Sequence, residues 1–464
     1  MKPLLLTSLA ASFLTTSLLA GITQTSEGTF IDIYSDSNLQ SEITATVATN
    51  KGHLIKKRCS NNRQSQSWCK VKYVYKDMTL YGYVDQTSLE STYNRVNTKP
   101  TFEMTYGGRY DDVGNDIIAV SDGFVAVGKT SSFGRGQDDV YFIKFDKFGN
   151  KVYSLALGGS SIDEANSIVE MDDAYMIAGS TRSFGNGVES FYMAKVSKDG
   201  QLIWQNGYFS DEDDYYRAKD MIKISDDNLL LIGYENHVKF FNSEVNIYIN
   251  AINSDGVRNG IKRFGGDKVE EGNSIISVND GYVFAGMTKT WGHGGEDAYV
   301  VKTDKDGNRI WHNAFGFNYD EVINKIIQTQ DGGYLGVGTT DSDIRNQQDV
   351  YVVKINARGD KEWQAHYGSK EDEEGFGVVE AEDGYVIAGY TKDTKSYNSD
   401  AYILKINKRG RVIWNRKYGL DKDDEAKAIV KVEDGYVMTG FMTSEENYSK
   451  DLYILKVDKN GQIQ

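Results

Sequence analysis

Proline is almost missing from this 464-residue chain: it holds only Pro3 and Pro100. Cysteine is as scarce, with Cys59 and Cys69 alone, and there are five histidines. Two cysteines without a matching histidine pair exclude a four-ligand structural zinc site. Five scattered histidines give no helix-borne metal pair. Beyond residue 20 no run approaches the ~20 apolar residues that span a bilayer as a helix. Basic residues are also short: 52 Lys and Arg face 67 Asp and Glu, for a formal net charge of −15. That balance argues against nucleic acid, whose phosphates call for clustered Lys and Arg. It disfavours adhesion to anionic membranes as well, and chiefly confers solubility.

What is abundant is glycine, at 47 residues, and tyrosine, at 31. Short apolar runs between Asp-, Asn- and Gly-rich turns predict an all-β protein. The first segment, MKPLLLTSLAASFLTTSLLAG, carries one basic residue, then an apolar run, then small residues ending at Ala20. It reads as a signal peptide over 1–20, so export to a periplasm or secretion is expected. No cysteine comes next to carry a lipid, and no membrane span is expected after cleavage. In an exported protein Cys59 and Cys69 are expected to form a disulfide. The short loop they close adds roughly 2–3 kcal/mol.

Residues 27–92 differ in composition from the rest of the chain. TFIDIYS, SEITATVAT, HLIKKRC, SWCKVKYVY and LYGYVDQTSL read as five short strands. Trp68, Val71, Tyr73, Gly82, Tyr83, Val84 and Leu89 carry a resemblance to the end of bacterial SH3-like domains. The resemblance implies a small barrel that contacts cell-wall peptide, peptidoglycan included, or protein. The opening TFIDIYSDSN departs from the Arg-Ser-Gly-Pro turn that many such domains show. Residues 93–100 read as a linker.

From residue 101 the chain repeats itself. One glycine closes an apolar run in every unit: Gly128, Gly179, Gly233, Gly286, Gly338, Gly389 and Gly440. A tyrosine comes later in each, from Tyr141 to Tyr453, and another glycine stands eight residues after it, from Gly149 to Gly461. Each unit holds four strand patterns. In the fifth these are INKIIQTQ, GGYLGVGTT, DVYVVKIN and KEWQAHYG. Four antiparallel strands in about 50 residues make a propeller blade. Separate small domains are disfavoured, because one unit could not bury its own faces.

The last strand of a unit has an aromatic slot (Tyr153, Trp204, Trp311, Trp363, Trp414, with Gly260 as exception) and, usually, a second ring four residues later. The seventh unit stops before that strand. TFEMTYGG, with Phe102 and Tyr106, supplies it, so the predicted fold is a seven-bladed propeller over 101–464 closed by its own first strand. The units resemble a family of bacterial and archaeal exported propeller repeats with the pattern YGG…DE…DGGY…GxTxS…DxYxxK…G…W. The resemblance implies architecture and leaves activity open, since propellers host many unrelated functions.

Loops joining the fourth strand to the next blade, and the second strand to the third, share one face, where binding is expected. An acid stands six residues after the second slot in every unit: Asp112, Asp163, Asp214, Glu270, Glu321, Glu373 and Asp424. These form either an acidic rim for a cation or a set of caps on backbone N–H groups. The loops also offer Phe133, Phe184, and Trp291 beside His293, either for contact with a ligand or for packing between blades. The third unit departs from the pattern through Ala251 and Gly260, and through the loop that holds His237, Phe240 and Phe241. No catalytic residue or cofactor stands out; calcium holding the loops is a minor alternative. The expected role is non-enzymatic recognition of a protein or glycan, the alternative an enzyme acting on glycans through loop-face carboxylates.

Overall fold

The computed structural model describes residues 101–463 except 186, 209–214, 239–242, 342–346, 393–397 and 420, and the backbone of six strands between residues 22 and 85. The chain divides into two units at Lys99 and Pro100. In the first, strands Ile22–Thr25, Gly28–Tyr34, Ile43–Ala48, His53–Asn61, Ser67–Tyr75 and Met78–Asp85 form one antiparallel sheet. The sheet gains one strand, Ile22–Thr25, over the five read from sequence. Register sets Cys59 directly opposite Cys69. The signal segment and the linker lie outside the described residues.

The second unit is a seven-bladed propeller of four-stranded antiparallel sheets, and no described residue is helical. Blade 1 runs from its inner strand Asp112–Val120 through Gly123–Thr130 and Asp139–Asp146 to its outer strand Lys151–Leu157. Blades 2 to 6 keep the same order. In blade 7, strands Asp424–Val432, Gly435–Thr443 and Lys450–Asp458 are completed by Phe102–Tyr106, which pairs from Leu452↔Tyr106 to Lys456↔Phe102. The first strand of the propeller therefore closes the ring.

Each repeated residue has a mechanical reason. The glycine of the turn between the third and fourth strands sits in the left-handed region in all seven blades, with φ from 69° at Gly461 to 90° at Gly359. A residue with a Cβ is strained there. The residue three before it anchors the turn, as where Asp146 Oδ1 accepts from the backbone N–H of Phe148 and Asn150 at 2.8 and 2.9 Å. The other glycine lies opposite a β-bulge in the inner strand. A Cβ on Gly128, Gly179 or Gly338 would stand 1.9–2.0 Å from an inner-strand carbonyl oxygen, so only glycine lets the two strands pair there.

Tyr141, Tyr192, Tyr248, Tyr299, Tyr351 and Tyr453 are at most 1% exposed at the blade centres. Several pass their hydroxyl to the outer strand, as Tyr192 does to Gln205 Oε1 at 2.7 Å. The strand-three lysines bury their stems and pair with the acid of the preceding Asp-Gly turn, as in Lys302–Asp280 at 2.8 Å and Lys405–Asp383 at 2.8 Å.

The outer-strand rings join the blades. Tyr153, Trp204, Trp311, Trp363 and Trp414 each cover the turn glycine of the next blade. Tyr208 and Tyr367 donate to the carbonyls of Gly256 and Gly410, both at 2.6 Å. Phe102 covers Gly149 of blade 1, and Tyr106 donates to the Gly149 carbonyl at 2.6 Å. The closing strand thus repeats the contact made by the others. In blade 3, where Gly260 leaves the slot empty, Lys262 lies over Gly307 and bonds Asn308 Oδ1 at 3.2 Å.

Candidate functional site

The acids that open the inner strands are drawn inward. Asp112, Asp163, Glu270, Glu321 and Asp424 are fully buried, and Glu373 is 3% exposed. Five of them accept from the backbone N–H four residues earlier: Gly108, Gly159, Gly266, Phe317 and Ser369, at 2.7–3.2 Å. Most also take a hydroxyl from the facing second strand, as Glu270 from Thr288 at 2.9 Å and Glu321 from Thr340 at 2.6 Å. The carboxylates tie the incoming loop to the blade.

Blade 3 differs. Asp214 lies outside the described residues, and the register places Tyr216, opposite Glu235, where the other blades put their acid. Tyr216 N–H donates to the Glu189 carbonyl at 3.0 Å, just as Asp163 N–H does to Asp138 and Glu321 N–H to Glu296. Counting from the aromatic slot therefore misses this position by two residues. The charge stands elsewhere: Glu235 of the second strand, buried, pairs with Arg263, and buried Glu189, in the loop before the third strand of blade 2, pairs with Arg182 and Arg217. Burial works to raise the Glu189 carboxyl, yet the two guanidinium groups outweigh it and hold it low.

Trp291, Phe133 and Phe184 make ring contacts within their own blades. Trp291 stacks on Tyr299 at 5.1 Å and meets His312 edge-on at 4.7 Å. Phe133 and Phe184 lie over Tyr141 and Tyr192 at 5.8 and 6.1 Å. His293 is exposed, and its backbone N–H donates to Asp297 at 3.1 Å. The His237 side chain and all of Phe240 and Phe241 lie outside the described residues.

Two other constellations stand out. At the junction of blades 7 and 1 the loops border a shallow hollow of about 540 Å³ lined by Arg109, Tyr110, Asp111, Ser131, Gln137, Asn447, Tyr448 and Ser449. Tyr110 is 56% and Tyr448 69% exposed, far more open than Trp291. Tyr448 is also the one non-glycine residue at positive φ, 60°, among those described. Its N–H donates to the Ser444 carbonyl at 3.1 Å, and Ser444 N–H to the Ser449 carbonyl at 2.8 Å, so the turn holds this ring outward. The Lys422 ammonium lies 4.5 Å from its ring centre.

The second is axial. The inner strands of all seven blades carry a bulge and line a central cavity of about 250 Å³, with polar side chains from every blade but the sixth. Asn115, Asn166, Asn273 and Asn324 each bond a carbonyl of the next inner strand at 2.8–3.0 Å. At the next position Asp220 gathers Ser167 Oγ (3.1 Å), Ser274 Oγ (2.9 Å) and Lys325 Nζ (3.0 Å), linking blades 2, 3, 4 and 5. No part of this cluster was singled out in the sequence. Superposing the units would have shown it, since Asp116, Ser167, Asp220, Ser274 and Lys325 occupy one repeat position.

Burial pushes Asp116 up to about 6, with Lys325 opposing it and Asp220 adding to it. Burial, and then Asp112 and Asp111, likewise bring Asp451 to about 6. Both acids hold a proton more tightly in the folded protein than in the unfolded chain, where they titrate near 3.8. Their contribution therefore favours folding below about pH 4 and is lost as pH rises through about 6. Thermal melts of Asp116→Asn/Asp451→Asn should show a weaker fall in stability between about pH 4.5 and 6.5 than the parent protein. An unchanged slope would contradict the assignment.

No protein-family model and no curated protein matches the chain. Among solved structures it is similar to Sqt1 from Chaetomium thermophilum, at 9% identity over 74% of this chain and 82% of that one, with a TM-score of 0.43. It is also similar to the hemagglutinin-neuraminidase ectodomain of parainfluenza virus 5, at 9% identity over 79% and 85%, TM-score 0.39. A puromycin hydrolase structure aligns at 11% identity over 78% and 55%, TM-score 0.49. These likenesses stop at the path of the chain.

Proposed function

We propose that the protein is an exported recognition protein whose propeller binds a glycan in the hollow between blades 7 and 1, while the N-terminal domain contacts cell wall or protein. The observation that carries this reading is the pair of outward-held rings, Tyr110 and Tyr448, bordering one hollow with the polar side chains of Asn447, Ser449 and Gln137. Flat rings stack on the C–H faces of sugars, and amides and hydroxyls beside them bond sugar hydroxyls. An exposed ring on a left-handed backbone costs stability unless the position is used. Arg109 and Asp111 add charge of both signs, which suits a polar ligand with many hydroxyls over a purely apolar one.

The test is retention of the full chain on insoluble wall glycan. Tyr110→Ala/Tyr448→Ala should weaken retention by about ten- to a hundredfold, two rings being worth about 1–3 kcal/mol together. Its melting temperature should stay close to that of the parent. Trp291→Ala should do the reverse, lowering the melting temperature and leaving retention intact, because that ring is packed. A double variant retained like the parent protein would sink the reading. Reducing ends appearing in the same assay would favour the enzymatic alternative.

A further inference from the structure

The axial cavity holds a gap in an otherwise regular pattern of hydrogen bonds. At the residue after each inner-strand bulge, one blade offers an acceptor to a backbone N–H of the next. Asp116 takes Ile168 N–H at 2.9 Å, Ser167 takes Met221 N–H at 3.1 Å, Asp220 takes Ile275 N–H at 3.1 Å, and Ser274 takes Ile326 N–H at 3.4 Å. The series then breaks. The next three residues at this position are Lys325, Gly377 and Ala428, none of which carries an acceptor in its side chain.

The N–H groups they would have served belong to Val378, Ile429 and Ile117. Asp116 Oδ1 of its own strand takes Ile117 N–H at 2.8 Å. Val378 and Ile429 have no such substitute among the described residues, and both line the axial cavity. A Cβ on Gly377 would stand 3.0 Å from Ile429 Cγ2 and 3.1 Å from Ile429 N, so the glycine sits close beside this donor and brings no acceptor to it.

Charge has changed on the same side. The preceding position, Asn in blades 1, 2, 4 and 5, is Lys219 in blade 3, Phe376 in blade 6 and Lys427 in blade 7. Among the described residues Lys427 pairs with Glu425 at 3.5 Å, and its ammonium lies 5.3 Å from the Phe376 ring centre. Lys325 enters the cavity from blade 5 and is 37% exposed within it. Two backbone donors thus open into a cavity that the side chains of Lys219, Lys325 and Lys427 also line, the Lys325 ammonium being held by Asp220.

We infer that this side of the axial cavity binds the carboxylate of a small organic acid, which takes the place that the Asp116 and Asp220 side chains hold in blades 1 and 3. Backbone N–H pairs beside cations suit an oxyanion. The volume of about 250 Å³ limits the ligand to a compact molecule. The site lies on the axis and the tyrosine hollow between blades 7 and 1, so either can fail without the other.

The experiment is calorimetric titration of the full chain with D-glucuronate and with acetate, using glucose as the uncharged control and inorganic phosphate as the rival oxyanion. The two carboxylates should bind and glucose should not. Lys427→Met should weaken carboxylate binding by about tenfold or more. Gly377→Asp supplies the missing acceptor internally, so it should abolish binding; its Cβ crowds Ile429, so the melting temperature should fall somewhat, and a far-ultraviolet spectrum matching that of the parent separates occlusion from misfolding. Absence of carboxylate binding by the parent protein, binding of phosphate alone, or equal binding by the parent and both variants would overturn the inference.

Discussion

Deleting residues 101–108 should convert the protein into a self-associating species with a sharply lowered melting temperature. The segment supplies the fourth strand of blade 7, in register with Leu452 to Lys456. It carries Phe102, Met104 and Tyr106, which pack with the core shared by blades 1 and 7. It also carries Glu103, which accepts the Tyr453 hydroxyl at 2.6 Å. At about 1.5–3 kcal/mol for a fully buried large side chain, three half-buried ones contribute about 2–4 kcal/mol. That is a large part of the 5–15 kcal/mol typical of a folded domain. The deletion also leaves strand Lys450–Asp458 as an unpaired edge and uncovers Gly149 of blade 1. Exposed edges recruit other chains. Light scattering coupled to size exclusion reads the first effect and a thermal melt the second. A monomeric protein with an unchanged melt would show that the ring does not depend on its closing strand.

The second large effect is expected at Asp220. Its carboxylate is 5% exposed as a residue and receives Ser167, Ser274, Ile275 N–H and Lys325. Asp220→Ala strands the Lys325 ammonium and several donors inside the cavity. Removing one partner of a fully buried pair costs about 3–5 kcal/mol, and with the Lys325 side chain 37% exposed about 2–3 kcal/mol is expected. Denaturant unfolding of Asp220→Ala should show a loss of that size, and Asp220→Asn a smaller one because an acceptor remains. Adding Lys325→Met to Asp220→Ala should recover part of the loss by removing the stranded charge. A loss below about 1 kcal/mol would mean that water replaces the carboxylate without penalty.

The architecture was legible because each repeated residue answers a backbone need. Gly149 and its counterparts mark a turn at positive φ, and Gly128 and its counterparts mark a bulge that tolerates no Cβ. The incomplete seventh unit and TFEMTYGG were readable for the same reason, since Phe102 and Tyr106 meet the same requirement as the other outer strands. The functional surface was less legible. Trp291 stood out as a large ring in a glycine-rich loop, yet its contacts with Tyr299 and His312 depend on strands that periodicity places without their side chains. Tyr110 sits in a loop whose direction depends on the neighbouring blade, so sequence carried no sign of its exposure. The axial cluster was hidden differently. Asp116, Asp220 and Lys325 lie about one hundred residues apart in succession, and only ring closure brings them together.

Hydrogen–deuterium exchange of the full chain with and without solubilised wall glycan tests whether recognition belongs to the hollow between blades 7 and 1. The account predicts protection confined to residues 108–111 and 444–449, with the turns at residues 146–150 and 197–201 on the opposite face unaffected. Protection of those turns with no change at Tyr110 or Tyr448 would contradict it.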